Sequence, residues 1–341
     1  MMTRLDDKLS RIRAGAYSRA DFIIADAKDA DMGGGAQCAG PARQPDGTWA
    51  RYRTRDEFLA SIEAIVKQDI VDIMLASVSN IERLTKRGVF KDSAVKPAIR
   101  ANETSDVWGM RGSSYKSRAS RPFRTASLSR VRSGAAKPNP GAPVALTDLG
   151  LYSITFNNDL DADIASLEAF AQFRREAEEA GLNYFLEVFN PNVATGIAPD
   201  EAPHYVNDCI LRCLAGLVEA ERPLFLKIPF NGPRALEELA SFDSSLVVGV
   251  LGGGAGTTRD CFELIHQAEK YGARVALFGR KINLAESPLD MVRFMRAVAD
   301  GALAPGEAVA AYHGDLARQK IKPARELGSD NQITEAALKS A

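Results

Sequence analysis

Charged side chains at the ends of short apolar runs are the groups in this chain best placed to do chemistry. The run Leu224-Phe225-Leu226-Lys227-Ile228-Pro229-Phe230 carries one lysine, and Pro229 and then Asn231-Gly232-Pro233 cut it off. That pattern predicts a buried strand with a cation at its carboxyl end. An amine among Leu226, Ile228 and Phe230 is costly unless it has a task or a partner. The same surroundings lower its pKa and make it nucleophilic near neutral pH. Reaching a value of about 7 takes roughly 4–5 kcal/mol of differential stabilisation. Lys227 is therefore a candidate Schiff-base residue, and a lysine that pairs with a carboxylate or snorkels to the rim is the alternative.

Other groups occur at comparable positions. Asp21-Phe22-Ile23-Ile24-Ala25-Asp26 reads as a strand ending in an acid, and the charged, glycine-dense stretch 27–35 follows it. Asp26 suits acid/base work there, although a solvated turn has the same composition. A calcium loop does not fit, because glycines stand where the later oxygen donors belong. Glu187 is the one acid inside the apolar run 183–189. Arg100 and Asn102 end the run 95–100, with Glu103, Thr104, Ser105 and Asp106 just beyond. Gly252-Gly253-Gly254-Ala255-Gly256 precedes Thr257, an N-cap residue, and Gly279-Arg280-Lys281 closes the last apolar run. A glycine turn opening a helix presents backbone amides to a phosphate, and Arg280 or Lys281 adds charge. A tight strand-to-helix turn beside an exposed basic loop is the plainer reading.

The elements that must position these groups alternate. Strands are expected at 21–26, 70–76, 95–100, 150–156, 183–189, 224–230, 245–251 and 272–278. Helices are expected at about 55–68, 78–87, 161–180, 203–220, 233–240, 258–271 and 288–300, with Gly88 and Gly181 as stops. Such alternation implies a parallel sheet, and eight units imply a closed α/β barrel, a single (β/α)8 TIM barrel. An open doubly wound sheet would want a GxGxxG after the first strand, which Met32-Gly33-Gly34-Gly35 does not supply. Residues 1–20 read as a charged arm or helix, 21–314 as the barrel and 315–341 as a poorly patterned tail. Residues 111–143 form a basic insertion after the third strand, with eight Lys or Arg named at 111, 116, 118, 121, 124, 130, 132 and 137 and no acid. A lid over an anionic ligand or a solvated loop accounts for it better than RNA binding.

With 341 residues, 45% hydrophobic and 26% charged, the composition is that of a globular protein. A net charge of −1 favours neither nucleic acid nor a membrane surface, and no apolar run is long enough to span a bilayer. Met1-Met2-Thr3-Arg4-Leu5-Asp6-Asp7-Lys8 lacks the apolar core of a secretory signal, so a cytoplasmic location is expected. Cys209 and Cys213 have no second pair at metal spacing, Cys38 and Cys261 stand apart, and the histidines at 204, 266 and 313 are scattered. Reduced thiols, a surface His266 and neither a metal nor a cofactor are expected.

An acid at strand one, Leu-Glu at strand five, lysine at strand six, Gly-Gly-Gly at strand seven and Gly-Arg-Lys at strand eight resemble the class I aldolases. The similarity is to the deoxyribose-phosphate, tagatose-bisphosphate and archaeal-type fructose-bisphosphate members, and Leu246–Pro288 carries it most closely. The family commonly has Asp-His-Gly or Asp-Gln-Arg-Gly after strand one, where this chain has Asp26-Ala27-Lys28-Asp29. The resemblance implies Lys227 as the imine lysine, Asp26 and Glu187 as acids, and Gly253, Gly254, Gly279 and Arg280 at a phosphate. The expected reaction makes or breaks a C–C bond of a phosphorylated ketose. A non-covalent phosphosugar isomerase or epimerase with Glu187 as base, and a non-catalytic sugar-phosphate sensor, are the alternatives. A homo-oligomer is compatible with each.

Overall fold

The computed structural model describes residues 3–44, 48–137, 143–254 and 256–339, without the side chains of Arg43 and Trp49. Ala255 of the glycine cluster, residues 138–142 of the insertion, Met1 and Met2, and the last two residues of the tail lie outside these. The eight expected runs form one parallel sheet. Its strands are β1 (Ile23–Lys28), β2 (Ile73–Ala76), β3 (Lys96–Arg100), β4 (Leu149–Thr155), β5 (Asn183–Phe189), β6 (Leu226–Lys227), β7 (Gly249–Leu251) and β8 (Val275–Phe278). Each pairs with its neighbour in chain order, and β1 pairs with β8. The seam between β6 and β7 closes through the parallel bridge of Ile228 with Val250 and through Leu226 N–H donating to Val247 O at 2.8 Å. The result is the expected (β/α)8 barrel.

Strand β6 is short because Pro223 and Pro229 bracket it and a proline donates nothing to a ladder. The helices on the outside are α2 (Arg55–Gln68), α3 (Val78–Lys86), α4 (Leu160–Ala180), α5 (Ala202–Leu214), α6 (Pro233–Phe242), α7 (Thr258–Lys270), α8 (Pro288–Ala299) and α9 (Pro305–Arg318); α1 (Arg4–Arg13) precedes the barrel. Helix α5 ends at Leu214, short of the expected 220, where Gly216 follows and a 3-10 turn covers Glu219–Glu221. Among the described residues no helix is long and apolar enough to cross a membrane.

Alternation along the strands divides the core in two. Ile23 and Ala25, Ile73 and Leu75, Ala98, Leu149 and Leu151, Phe185, Phe225, Val247, Val275 and Leu277 fill the barrel, and Leu5 and Leu9 of α1 join them from below. The other parity, Ile24, Met74, Ile99, Tyr152, Ile154, Leu186 and Leu226, packs under the helices. Helix α1 is pinned as a plug: Lys8 Nζ donates to Asp72 Oδ2 at 3.0 Å and to Phe22 O at 3.1 Å.

Between β3 and β4 the basic insertion is tied to the barrel top. Glu103–Thr104 pairs antiparallel with Pro122–Phe123, and Trp108 stacks on Tyr115 at 5.6 Å and tilts against Phe123 at 4.6 Å. From the loop after β5, Asn192 Nδ2 donates to Arg118 O at 2.7 Å and Lys116 O at 3.1 Å.

Candidate active site

One step above the apolar filling, the inward parity turns polar. Ala98 is followed by Arg100, Leu151 by Ser153, Phe185 by Glu187 and Phe225 by Lys227, so neighbouring strands deliver these side chains to a common layer. Register confirms it, since Lys227 pairs with Glu187 and Glu187 with Ser153. Lys227 Nζ lies 2.6 Å from Glu187 Oε1. Glu187 Oε2 accepts from Ser153 Oγ at 2.7 Å and from Arg100 Nη2 at 3.2 Å. Arg100 then donates from Nε to Asp29 Oδ2 at 2.5 Å and from Nη1 to Ser153 Oγ at 2.9 Å. All five residues are buried.

Their charges shape one another. Burial disfavours the Arg100 cation, but Asp29 and then Glu187 outweigh it and hold the guanidinium above its usual range. Burial likewise works against the Asp29 carboxylate, but Arg100 and Lys227 prevail and keep it below the usual carboxylate range. Breaking such a buried network by removing one partner is strongly destabilising, by about 3–5 kcal/mol.

The layer forms part of the wall of a cavity of about 610 Å³ at the carboxyl ends of the strands. Asp29, Arg100, Glu187 and Lys227 line it together with Gly252, Gly253, Gly279 and Arg280. Gly252 and Gly279 permit close approach there. A Cβ on Gly252 would run into the Phe278 ring, and one on Gly279 would stand 2.6 Å from Ala27 O. Arg280 Nη2 donates to Gly253 O at 2.7 Å and so holds the turn after β7. Thr257 caps α7 in a reciprocal box with Asp260.

Several expected site residues stand elsewhere. Asp26 shares the outward parity of Ile24, so it faces the helix layer and does not line the cavity. Its Oδ1 is 3.1 Å from Lys28 Nζ, yet neither carboxylate oxygen accepts a well-aligned hydrogen bond from the described residues. Burial pushes its carboxyl up to about 6 against the pull of Lys28, and burial lowers the Lys28 amine. The strand-one acid in the mouth is Asp29. Asn102 is fully buried and locks β3 to β4, donating to Ser153 O at 2.8 Å and accepting from Ser153 N at 2.6 Å. It has no place on the cavity wall. Lys281 donates to Gly256 O at 3.1 Å and Thr258 Oγ1 at 3.3 Å, and with Gly254 it lines a smaller neighbouring pocket. Among the described residues no group of His, Cys, Asp and Glu could hold a metal ion.

Two wall or layer residues carried a signal that the strand ends alone did not convey. Asp29 and Ser153 follow from parity, once the inward set is fixed by Ile23, Ala25, Leu149 and Leu151. Glu103 follows from neither, because it lies past β3 on the two-residue strand that pairs with the insertion.

No protein-family model and no curated protein matches the chain. Solved structures do. An archaeal fructose 1,6-bisphosphate aldolase superposes with a TM-score of 0.57 at 16% identity, over 87% of this chain and 99% of the other. An archaeal fructose-1,6-bisphosphate aldolase with its catalytic lysine covalently bound to the carbinolamine intermediate gives 0.58 at 15% identity, over 87% and 100%. Cgl0159 from Corynebacterium glutamicum gives 0.56 at 17% identity, over 89% and 99%. The barrel of this chain thus has the fold of the Schiff-base class I aldolases.

Proposed function

We propose that the protein is a class I aldolase-type lyase that cleaves or forms a C–C bond of a phosphorylated ketose through an imine on Lys227. One observation carries this reading. A lysine that is 6% exposed stands at the end of β6, with its amine 2.6 Å from a carboxylate, in the same cavity as the turns after β7 and β8.

Lys227 passes its proton to Glu187, and the uncharged amine attacks the ketone carbon. The carbonyl oxygen leaves as water and a protonated imine remains. Asp29, kept ionised by Arg100, accepts the proton of the hydroxyl two carbons away from the imine carbon. The intervening C–C bond breaks, its electron pair enters the imine, and an aldehyde departs. Protonation and hydrolysis of the enamine release the second product and restore the amine. The amides around Gly252, Gly253, Gly279 and Arg280 hold the phosphate, and that remote binding aligns the carbonyl with Lys227.

The ion pair itself favours a second reading. A lysine kept charged by Glu187 would act only electrostatically, and the cavity would serve a phosphosugar isomerase or epimerase. Borohydride reduction in the presence of dihydroxyacetone phosphate separates the two. The imine reading expects a covalent adduct mapped to Lys227 and its loss in Lys227→Met. Phosphosugar turnover without any adduct establishes the other.

A further inference from the structure

Glu103 and Asp106 are the acids on this cavity wall that the chemistry above leaves unused, and Asp106 already accepts from Ser120 Oγ at 2.6 Å and Thr155 Oγ1 at 3.2 Å. Glu103 is 4% exposed and lines the cavity, and its Oε2 is buried without a hydrogen-bond partner among the described residues. Asp29 and Glu187, by contrast, are bonded to Arg100. Burying a carboxylate oxygen unpaired is unfavourable, and a native site keeps such a group where a ligand completes it. Its place in the ring says which part of a ligand that is. Chain-order pairing around eight strands sets β3 across from β7, so Glu103, just past β3, faces the glycine turn from the opposite rim. A sugar anchored by phosphate at the β7 and β8 turns and by its carbonyl at Lys227 brings its far end to Glu103.

We propose that Glu103 binds the hydroxyl-bearing far end of the substrate, which makes the preferred substrate a ketose phosphorylated only at the end nearest the carbonyl. The inference rests on the aldolase reading. A carboxyl group accepts hydrogen bonds from sugar hydroxyls and repels a second phosphate. The Arg100 guanidinium near it is already spent on two carboxylates, and Lys116, which also lines the cavity, is solvent-exposed, where its charge is screened. Burial raises the Glu103 carboxyl, opposed by Arg100.

The test ranks the D-ketohexose 1-phosphates against the matching 1,6-bisphosphates by kcat/KM, in the wild-type protein and in Glu103→Gln. The wild type is expected to favour its best monophosphate over the matching bisphosphate by about tenfold or more, and Glu103→Gln to lose roughly tenfold to a hundredfold on that monophosphate. Reductive trapping with dihydroxyacetone phosphate, which has no far end, should stay at the wild-type level in the variant and so report an intact fold. Preference for the bisphosphate in the wild type overturns the inference, as does an unchanged monophosphate kcat/KM in a variant that still traps. Trapping without cleavage of any ketohexose 1-phosphate overturns it too. If Glu103→Gln fails to trap, the wild-type ranking alone decides. Failure of the wild type to trap at all refutes the aldolase reading instead.

Discussion

Arg100 sets the charge balance of the mouth. It bonds Asp29 on one side and Glu187 on the other, and Glu187 in turn holds Lys227. Asp29 is held below the ordinary carboxylate range, so its contribution to stability is present above about pH 4 and is lost as pH falls through its lower folded value. Arg100→Gln removes the cation that opposes burial, and the Asp29 pKa should then rise. The acid limb of the kcat/KM profile should move to higher pH, and a limb that stays in place would show that Arg100 does not govern the base. The two neighbouring aspartates give a sharper contrast. Asp29→Asn should lower kcat by about 10²–10⁴. Asp26→Asn, on the helix side of β1, should leave kcat unchanged, and steady-state kinetics on the pair checks the assignment directly.

At the scale of elements, the carboxyl-terminal segment is built into the helix that follows the glycine turn. Thr258 N donates to Asp330 Oδ1 at 2.8 Å, Thr257 Oγ1 to Gln332 O at 2.7 Å and Thr334 N to Asp260 Oδ1 at 2.7 Å. Asp330 also meets His313 Nε2 at 2.9 Å. The segment therefore satisfies donors at the start of α7 that would otherwise lose their partners. Ending the chain after Lys320 should raise KM for a phosphorylated substrate more than it lowers kcat, because the phosphate turn loosens while the layer around Lys227 is untouched. Equal losses in both parameters would place the segment's role elsewhere. Little of this was legible in residues 315–341, where short capping contacts leave no periodic pattern. The barrel was legible, since α2 with its capping box at Thr54 and Glu57 and α4 with its Gly181 stop carry strong local signals. Lys227 and Glu187 could be read because each is a lone charge in an apolar strand. Asp26 misled for a physical reason. A strand-end acid is conspicuous on either face, and only the inner packing of Ile23 and Ala25 tells which side is the cavity.

The whole barrel has an uneven circumference. Between β4 and β5 seven residue pairs stand in register, whereas β6 contributes two to β5 and closes on β7 through one bridge. Three backbone hydrogen bonds cross that last seam, from Leu226, Ile228 and Leu251. The proposed reaction loads this seam from both sides, with the imine on β6 and the phosphate on the turns after β7 and β8. A ligand joined to both ties the two edges, and binding to the closed barrel alone stabilises it by mass action. A covalent adduct spanning the seam adds a cross-link that free phosphate lacks. Reductive trapping with dihydroxyacetone phosphate should therefore raise Tm beyond the shift given by saturating inorganic phosphate. The gain in amide hydrogen-exchange protection should concentrate at Leu226, Ile228 and Leu251, because opening this seam breaks few contacts and sets the local free energy of exchange. Protection spread evenly over all eight strands would mean that the seam is no weaker than the rest, and that the substrate closes nothing.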